Sequence, residues 1–352
     1  MCGPDFAPVP FEYFSMRIGI ITPAPPRSTY GNRITAIRWA RILKRLGHSV
    51  TISREYEGQR HDLLIALHAR RSYSSIQRFN NEHPDSPVIV ALTGTDLYRD
   101  LRKNRLTLES LEIATRIVAL QPKAVEELRK KWRHKTRIIY QSVEPFLRAA
   151  TRSPPDDSFD VCVVGHLRAV KDPFRTAMAA RLLPSSSRIR VLQIGQAMTP
   201  AMDRRARAEV RRNDRYRWLG EQSRSRTLQI LAQSQVCVVS SRLEGGANVI
   251  SEAIVASVPI LASRIAGNVG ILNKDYPGLF AVGNSQALAR LMQRAECEPG
   301  FLAQLKRRVK KLAPLFDPVR EEKAWSDLIN ELATKKSKKG KNKRRLGQSP
   351  KA

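Results

Sequence analysis

The chain has 352 residues, enough for about two domains that each bury a core. Its hydrophobic content of 42% is ordinary for a globular protein, and no apolar stretch approaches the ~18 residues that cross a bilayer, so the sequence predicts a soluble protein with no integral membrane segment. The formal charge of +30 suits either a polyanionic partner, such as nucleic acid or an anionic membrane surface, or a phosphate-rich substrate.

The two ends of the chain differ in composition from the rest. Residues 1–15 contain three prolines and lack the basic and apolar regions of a secretory signal, so we predict a disordered extension, unless Met16 is the true start. Residues 335–352 hold nine Lys or Arg and no acid, which predicts a disordered basic tail. The four cysteines are far apart in sequence, which argues against a disulfide framework or a metal site and favours the cytoplasm.

Apolar, β-branched runs alternate with helical patterns from residue 17 onwards. A helical pattern over 33–46, followed by Gly47, separates the first two runs. This order predicts an α/β protein with parallel, doubly wound sheets that carry helices on both faces. The predicted strands are 17–22, 49–53, 63–67, 88–92, 116–120 and 137–140, then 159–164, 189–194, 216–219, 236–240, 259–262 and 279–282.

A Pro- and Asp-rich break over 149–158 divides the two series of strands. Near the end of the chain, Asp317 and Pro318 have the features of a helix N-cap and first helical position. Since parallel sheets bind ligands beyond the carboxyl ends of their strands, we expect the site in the cleft between two domains. The predicted parts are an N-terminal Rossmann-like domain (16–148), a C-terminal Rossmann-like domain (149–312) and a helix that packs back across the domains (313–334).

Cations and hydroxyls follow the predicted strands of the N-terminal half. Arg70 and Arg71 come after the strand over 63–67, Thr93 and Thr95 come after the strand over 88–92, and Arg33 follows the loop after the first strand. Arginine forks and Thr hydroxyls suit a small oxyanion. Surface ion pairs are the alternative interpretation for each of these arginines.

Two glycine-bearing turns follow strands of the C-terminal half. The first, GHLRAVKDP, begins at Gly165 and contains Arg168 and Lys171, which are either ligand-binding cations or part of a solvated loop. The second, SSRLEGGANVISEA over 240–253, contains Glu244 and, eight residues later on a predicted helix, Glu252. Glycines and a helix N-terminus favour phosphate, and two such carboxylates can reach two hydroxyl-bearing groups of one ligand. A capping acid and a solvated acid on the helix are the alternative.

The second turn resembles the E-x7-E signature of the family-four glycosyltransferases, which have the GT-B fold of two Rossmann-like domains facing across a cleft. The resemblance implies that Glu244 contacts the donor sugar and Glu252 the nucleotide ribose. Lys171 has the place of the family lysine, whereas His166 stands where the family has Arg, and Arg168 is the candidate to supply that charge. Two cations beside a diphosphate stabilise the leaving group without a metal ion or other cofactor. The resemblance thus assigns catalysis to Glu244, Arg168 and Lys171, and donor binding to Gly165, Arg168, Lys171, Gly245, Gly246, Asn248, Val249 and Glu252.

Blocks such as LHARRS, LTGTDLYRD and GHLRAVKDP resemble a narrower branch, the selenosugar synthases of selenoneine biosynthesis, from about residue 16 to 332. This implies a hexosyl transfer from UDP-N-acetylglucosamine to selenophosphate. Thr93 stands where the family commonly has a His, and an anionic selenium nucleophile needs no strong base. We hypothesise that Arg33, Arg70 and Arg71 hold the phosphoryl oxygens. The predicted acceptor site consists of Asn32, Arg33, His68, Arg70, Arg71, Thr93, Gly94 and Thr95.

Two other functions stay open at this point. A family-four transferase with a lipid-linked or hydroxyl acceptor at an anionic membrane would use the basic surface, although no amphipathic insertion segment stands out. A nucleic-acid binder would use the basic tail, but the sequence has no zinc module, RNP motif or helix-turn-helix signature. We therefore expect no required nucleic-acid partner.

Overall fold

In this computed structural model, residues 15–146 and 157–346 are described, with side chains described through residue 333. The predicted extension over 1–15 and the predicted break over 149–158 lie almost entirely outside the described residues. No helix of the described part is long and apolar enough to cross a membrane.

The N-terminal half forms a six-stranded parallel sheet with the order β2-β1-β3-β4-β5-β6. Its central strands are buried at every position because helices cover both faces, which explains why the sequence shows continuous apolar runs there. The strands are β1 (Arg17–Ile21), β2 (Ser49–Ser53), β3 (Leu63–Leu67), β4 (Val88–Leu92), β5 (Arg116–Ala119) and β6 (Thr136–Ile138). The helices are α1 (Gly31–Arg45), α2 (Tyr73–Glu82), α3 (Arg105–Ile113), α4 (Lys123–Glu126) and α5 (Lys130–Arg133).

The C-terminal half forms a second six-stranded parallel sheet with the order β12-β11-β10-β7-β8-β9. The predicted α/β class with two doubly wound sheets is confirmed. The strands are β7 (Phe159–Val164), β8 (Ile189–Ile194), β9 (Tyr216–Trp218), β10 (Val236–Val239), β11 (Ile260–Ser263) and β12 (Leu279–Phe280). The helices are α6 (Arg175–Ala180), α7 (Pro200–Arg212), α8 (Arg224–Gln233), α9 (Asn248–Val255), α10 (Ala266–Leu272), α11 (Ser285–Cys297), α12 (Pro299–Leu312) and α13 (Pro318–Leu346).

In each sheet, consecutive strands are first added on one side of the starting strand and then on its other side, which creates one topological switch point. In the N-terminal sheet this switch lies between β1 and β3, and in the C-terminal sheet it lies between β7 and β10. The loops after these four strands diverge and leave a crevice, which is where doubly wound sheets bind ligands. The two crevices face each other across the interdomain cleft, so both sheets can contribute to one cavity.

Helix α13 leaves the C-terminal sheet and completes the core of the N-terminal one. It begins as the sequence predicts, since the Val319 amide donates to Asp317 Oδ1 at 2.8 Å. Trp325 is fully buried in the N-terminal core, with its ring centroid 4.8 Å from that of Trp39 on α1. The buried α13 residues of this core are Trp325, Leu328, Ile329 and Leu332.

Helical backbone continues in α13 as far as Leu346. The sequence predicts disorder from residue 335, so the helix extends into the predicted tail and corrects the start of that segment. Lys and Arg are good helix formers, and the packed first half of α13 provides the costly nucleus from which the helix can extend.

Candidate active site

A cavity of about 330 Å³ lies between the two sheets, at the carboxyl ends of the strands that flank both switch points. It is lined from both domains and contains most of the predicted site residues. From the N-terminal domain these are Asn32, His68, Arg71, Thr93, Gly94 and Thr95, and from the C-terminal domain they are Gly165, Arg168, Lys171, Glu244, Gly246, Asn248, Val249 and Glu252.

Three of the predicted site residues do not line this cavity: Arg33, Arg70 and Gly245. Arg70 Nε lies 3.0 Å from the buried carboxylate of Asp100, so its charge is already matched inside the N-terminal domain. Arg33 is partly buried, and its Nε has no hydrogen-bond partner among the described residues. Of the three arginines predicted to hold the acceptor, Arg71 is the one that lines the cavity.

Gly245 has a different place, at the point where the backbones of the two domains meet. A Cβ on Gly245 would lie 2.5 Å from the carbonyl carbon of Thr93, and a Cβ on Gly94 would lie 3.0 Å from the Gly245 nitrogen. Gly94 also has a φ of 140°, which disfavours any side chain. The two glycines allow the loop after β4 and the loop after β10 to touch, which brings Glu244 beside the N-terminal domain.

Lys171 and Glu244 form an ion pair at the cavity wall. They come from the loops after β7 and β10, the strands that flank the C-terminal switch point. Ser241 Oγ donates to Glu244 Oε1 at 2.6 Å, so a second contact fixes the carboxylate. Arg168 lines the same cavity and makes no ion pair with any described residue. The arrangement places one matched and one unmatched cation beside the predicted diphosphate.

Glu252 is buried on α9 and is matched by an arginine that the sequence analysis did not select. Arg224 Nη1 donates to Glu252 Oε1 at 2.9 Å, and both residues line the cavity. Arg224 is the first residue of α8, just beyond the end of β9. Ligands bind beyond the carboxyl ends of parallel strands, and Arg224 follows β9, so its position after that strand was the available sequence signal.

The loop after β4 is held by one buried carboxylate. Asp96 accepts the backbone N–H groups of Ala69 at 3.0 Å, Thr93 at 3.1 Å and Gly94 at 2.8 Å. These three bonds join the loops after β3 and β4. Asp96 therefore fixes these two loops relative to each other from beneath the cavity-lining residues Thr93 and Gly94.

His68 is held in an unusual backbone conformation, with a φ of 76°. Its Nδ1 accepts the Arg71 backbone N–H at 3.3 Å, so the proton is on Nε2, which lies 2.8 Å from Thr95 Oγ1. Burial lowers the pKa of His68, which favours this neutral form. Because Nε2 donates to Thr95, the Thr95 hydroxyl keeps its own proton available to donate to an anion in the cavity.

A direct contact between the two domains also lines the cavity. Thr29, in the loop after β1, donates to Glu221 Oε1 at 2.6 Å, and His166 Nε2 lies 3.1 Å from the same hydroxyl. The Tyr30 and His166 rings meet edge to face with centroids 5.4 Å apart. Burial also lowers the pKa of His166. His166, which stands where the family has Arg, therefore lines the cavity and also joins the two domains.

Two doubly wound domains that face each other across such a cavity define the GT-B fold of glycosyltransferases, and this chain has that fold. Residues 147–312 match the sequence profile of the family described as glycosyl transferases group 1. The chain is also 26% identical over 311 residues to the glycosyltransferase 1 domain-containing protein 1 of Xenopus tropicalis, over 80% of this chain and 88% of that protein.

Solved structures show the same architecture. Sucrose-phosphate synthase from Thermosynechococcus elongatus has a TM-score of 0.75 at 18% identity, over 90% of this chain and 99% of the other. HepE from Anabaena, in complex with UDP-glucose, has a TM-score of 0.70 at 16% identity, over 90% of this chain and 100% of the other. The profile match covers the C-terminal domain, and the shared fold covers both domains.

Proposed function

We propose that this protein is a glycosyltransferase that takes its sugar from a UDP-sugar donor. The observation that carries the proposal is the shared cavity of Lys171, Glu244 and Glu252, since one ligand of diphosphate, sugar and ribose can contact all three. The crystal structure of HepE, which has the same fold, contains UDP-glucose, and this supports UDP as the nucleotide of the donor. In this reaction Arg168 and Lys171 stabilise the departing diphosphate and no metal ion is required.

The acceptor that we propose is selenophosphate, and the donor is UDP-N-acetylglucosamine. Besides the sequence resemblance, the N-terminal wall of the cavity favours a small anion as the acceptor. We call this wall, formed by His68, Arg71, Thr93, Gly94 and Thr95, the acceptor wall. Arg71 lines it and makes no ion pair with any described residue, and Thr95 is set to donate a hydrogen bond. His68, the imidazole on this wall, has its Nε2 occupied by Thr95 and is not placed to take a proton from a hydroxyl acceptor.

The proposed reaction forms a carbon–selenium bond. The selenium of selenophosphate attacks the anomeric carbon with its own electron pair, and the bond from that carbon to the UDP oxygen breaks. UDP leaves with the bonding pair, beside Arg168 and Lys171. Water then cleaves the selenium–phosphorus bond, which gives inorganic phosphate and the 1-selenosugar. No oxidant or reductant is consumed, because selenium enters in its reduced form.

The test is a mass-spectrometric assay of the purified protein with UDP-N-acetylglucosamine and freshly made selenophosphate under anaerobic conditions. We expect a selenium isotope pattern on an N-acetylhexosamine, equal release of UDP, and no effect of a metal chelator. Glu244→Ala should abolish the product, since Glu244 is predicted to contact the donor sugar. An intact donor after incubation with the wild-type protein would contradict the proposed acceptor, and hydroxyl and lipid-linked acceptors would then be tried.

A further inference from the structure

A buried carboxylate on α13 starts a polar network that ends in the cavity. Glu321 is 2% exposed. Its Oε1 accepts from Trp39 Nε1 at 2.8 Å, and its Oε2 accepts from the Ser142 backbone N–H at 2.8 Å and from the Ser142 hydroxyl. Arg38 Nε lies 3.2 Å from Glu321 Oε2. The carboxylate thus joins α13, α1 and the segment after β6, and it supplies the counter-charge for one arginine.

Arg38 continues the network across the domain boundary. Its side chain is 15% exposed, and its Nη1 donates to Asn248 Oδ1 at 3.4 Å. Asn248 is the first residue of α9, belongs to the other domain and lines the cavity. Arg38 of the N-terminal domain therefore contacts the turn of the C-terminal domain that is predicted to bind the donor.

Gln141 makes a second bond to the same oxygen. When its amide is oriented to satisfy both of its groups, its nitrogen donates to Asn248 Oδ1 and to the Gly246 carbonyl, each at 3.1 Å. Its oxygen then accepts from Arg38 Nη2 at 3.0 Å. Gln141 and Arg38 are therefore hydrogen-bonded to each other, and both donate to the side-chain amide oxygen of Asn248.

Two donors on one amide oxygen determine where the amide nitrogen must face. Asn248 Nδ2 has no hydrogen-bond acceptor in the part of the chain that the structure describes, and a Cβ on the cavity residue Gly31 would lie 3.7 Å from it. The network therefore turns the two N–H bonds of Asn248 toward the cavity. An amide in the opposite orientation would place its oxygen beside any phosphate bound there.

We propose that Arg38 and Gln141 are positioning residues that fix the Asn248 amide as a hydrogen-bond donor to the donor diphosphate, with Glu321 as the buried counter-charge of Arg38. The N-terminal domain thereby completes the donor site of the C-terminal domain. This inference rests on the proposed UDP-sugar donor.

The experiment is a calorimetric titration of the full chain with UDP, which needs no acceptor. We expect Arg38→Met and Asn248→Ala each to weaken UDP binding about tenfold, the effect of losing one hydrogen bond to a charged group. If Arg38 acts through Asn248, the double variant should bind UDP no more weakly than Asn248→Ala alone. A merely structural role of Arg38 would instead make the two effects multiply.

Two further variants separate positioning from folding. Arg38→Lys keeps a cation near Glu321 but loses the fork toward Asn248, so it should retain the melting temperature and still lose UDP affinity. Arg45→Met removes an exposed pair with Glu322 on the same two helices, with Arg45 Nε 2.8 Å from Glu322 Oε2, and should bind UDP like the wild type.

The possible results separate the two proposals. Wild-type affinity in both Arg38 variants, or multiplicative effects in the double variant, would overturn the inference while the proposed donor stands. A wild-type protein that binds no UDP would overturn the proposed donor and the inference together.

Discussion

Two adjacent arginines after β3, Arg70 and Arg71, have different surroundings. The guanidinium of Arg70 is paired with Asp100 inside the N-terminal domain, and that of Arg71 lines the cavity without an ion pair among the described residues. Sequence alone could not separate them, because both follow β3 and the partner of Arg70 is thirty residues further on. Of these two arginines, Arg71 is the one that lines the cavity, which makes it the candidate to hold the proposed anionic acceptor.

We expect Arg71→Ala to raise the acceptor KM at least about tenfold, because a charge-assisted hydrogen bond to the phosphoryl group is lost. Arg70→Ala, its matched control, should leave that KM within about twofold and lower the melting temperature instead, because the buried carboxylate of Asp100 loses one of its two arginine partners and keeps only the more exposed Arg99. Initial rates at several selenophosphate concentrations measure the first effect and thermal unfolding measures the second. Equal KM changes in both variants would contradict the assignment.

At the scale of elements, α1 and α13 are joined by two ion pairs of unequal burial. Arg38 pairs with the buried Glu321, and Arg45 pairs with the exposed Glu322 one residue further along α13. The buried carboxylate accepts from four groups on two other segments, α1 and the segment after β6, so its loss leaves several donors unpaired. The exposed pair is screened by water.

Glu321→Gln should reduce the free energy of unfolding by about 3 kcal/mol, since it leaves the largely buried Arg38 charge without its counter-charge. Glu322→Gln, on the same helix, should cost less than about 1 kcal/mol. Denaturant titration followed by circular dichroism measures both. Similar losses in the two variants would show that the burial of Glu321 does not determine its contribution.

The elements themselves could largely be predicted from the sequence. Each of the two sheets has its strands where β-branched runs occur, because buried parallel strands need apolar residues on both faces. Lys171 and Glu244 were found because they follow strands and belong to a known motif. Arg224, Arg38 and Gln141 were missed since their roles depend on partners that are distant in sequence, and no local pattern encodes such pairs.

At the scale of the whole molecule, Gly94 and Gly245 determine how closely the domains approach. Gly245→Ala would force the loops apart, because its Cβ has no room beside Thr93. We expect turnover to fall about 10²-fold, as reacting groups are displaced by about 1 Å, and the radius of gyration from X-ray scattering to increase. Gly300→Ala is the control, since nothing lies within 4 Å of a Cβ there. Unchanged turnover in Gly245→Ala would show that this contact is not needed.

Burial lowers the pKa values of four histidines: His48, His61, His68 and His166. The unfolded chain therefore takes up protons at a higher pH than the folded one, and stability is lost as the pH falls below about 6.5 toward the lowered pKa values. We expect the melting temperature to drop between about pH 7.5 and about pH 5.5.

A histidine variant provides the control for this pH dependence. His68→Asn should show a smaller drop, since Asn tolerates the backbone at this position and does not titrate. A melting temperature that is unchanged or rises on acidification would contradict the prediction for the wild type. A drop in His68→Asn as large as that of the wild type would remove His68 from the explanation.

Because α13 packs in the N-terminal core, the N-terminal domain cannot complete its folding until the end of translation. Trp325 and its neighbours on α13 fill the N-terminal core beside Trp39, yet they are translated after the entire C-terminal sheet. At a translation rate of ~5–20 residues per second, on the order of 10 s or more passes between the synthesis of the N-terminal sheet and that of the helix that covers it. During that interval its apolar surface is exposed to nascent neighbours and chaperones. The earliest-made domain of this chain is thus the last to reach its finished state.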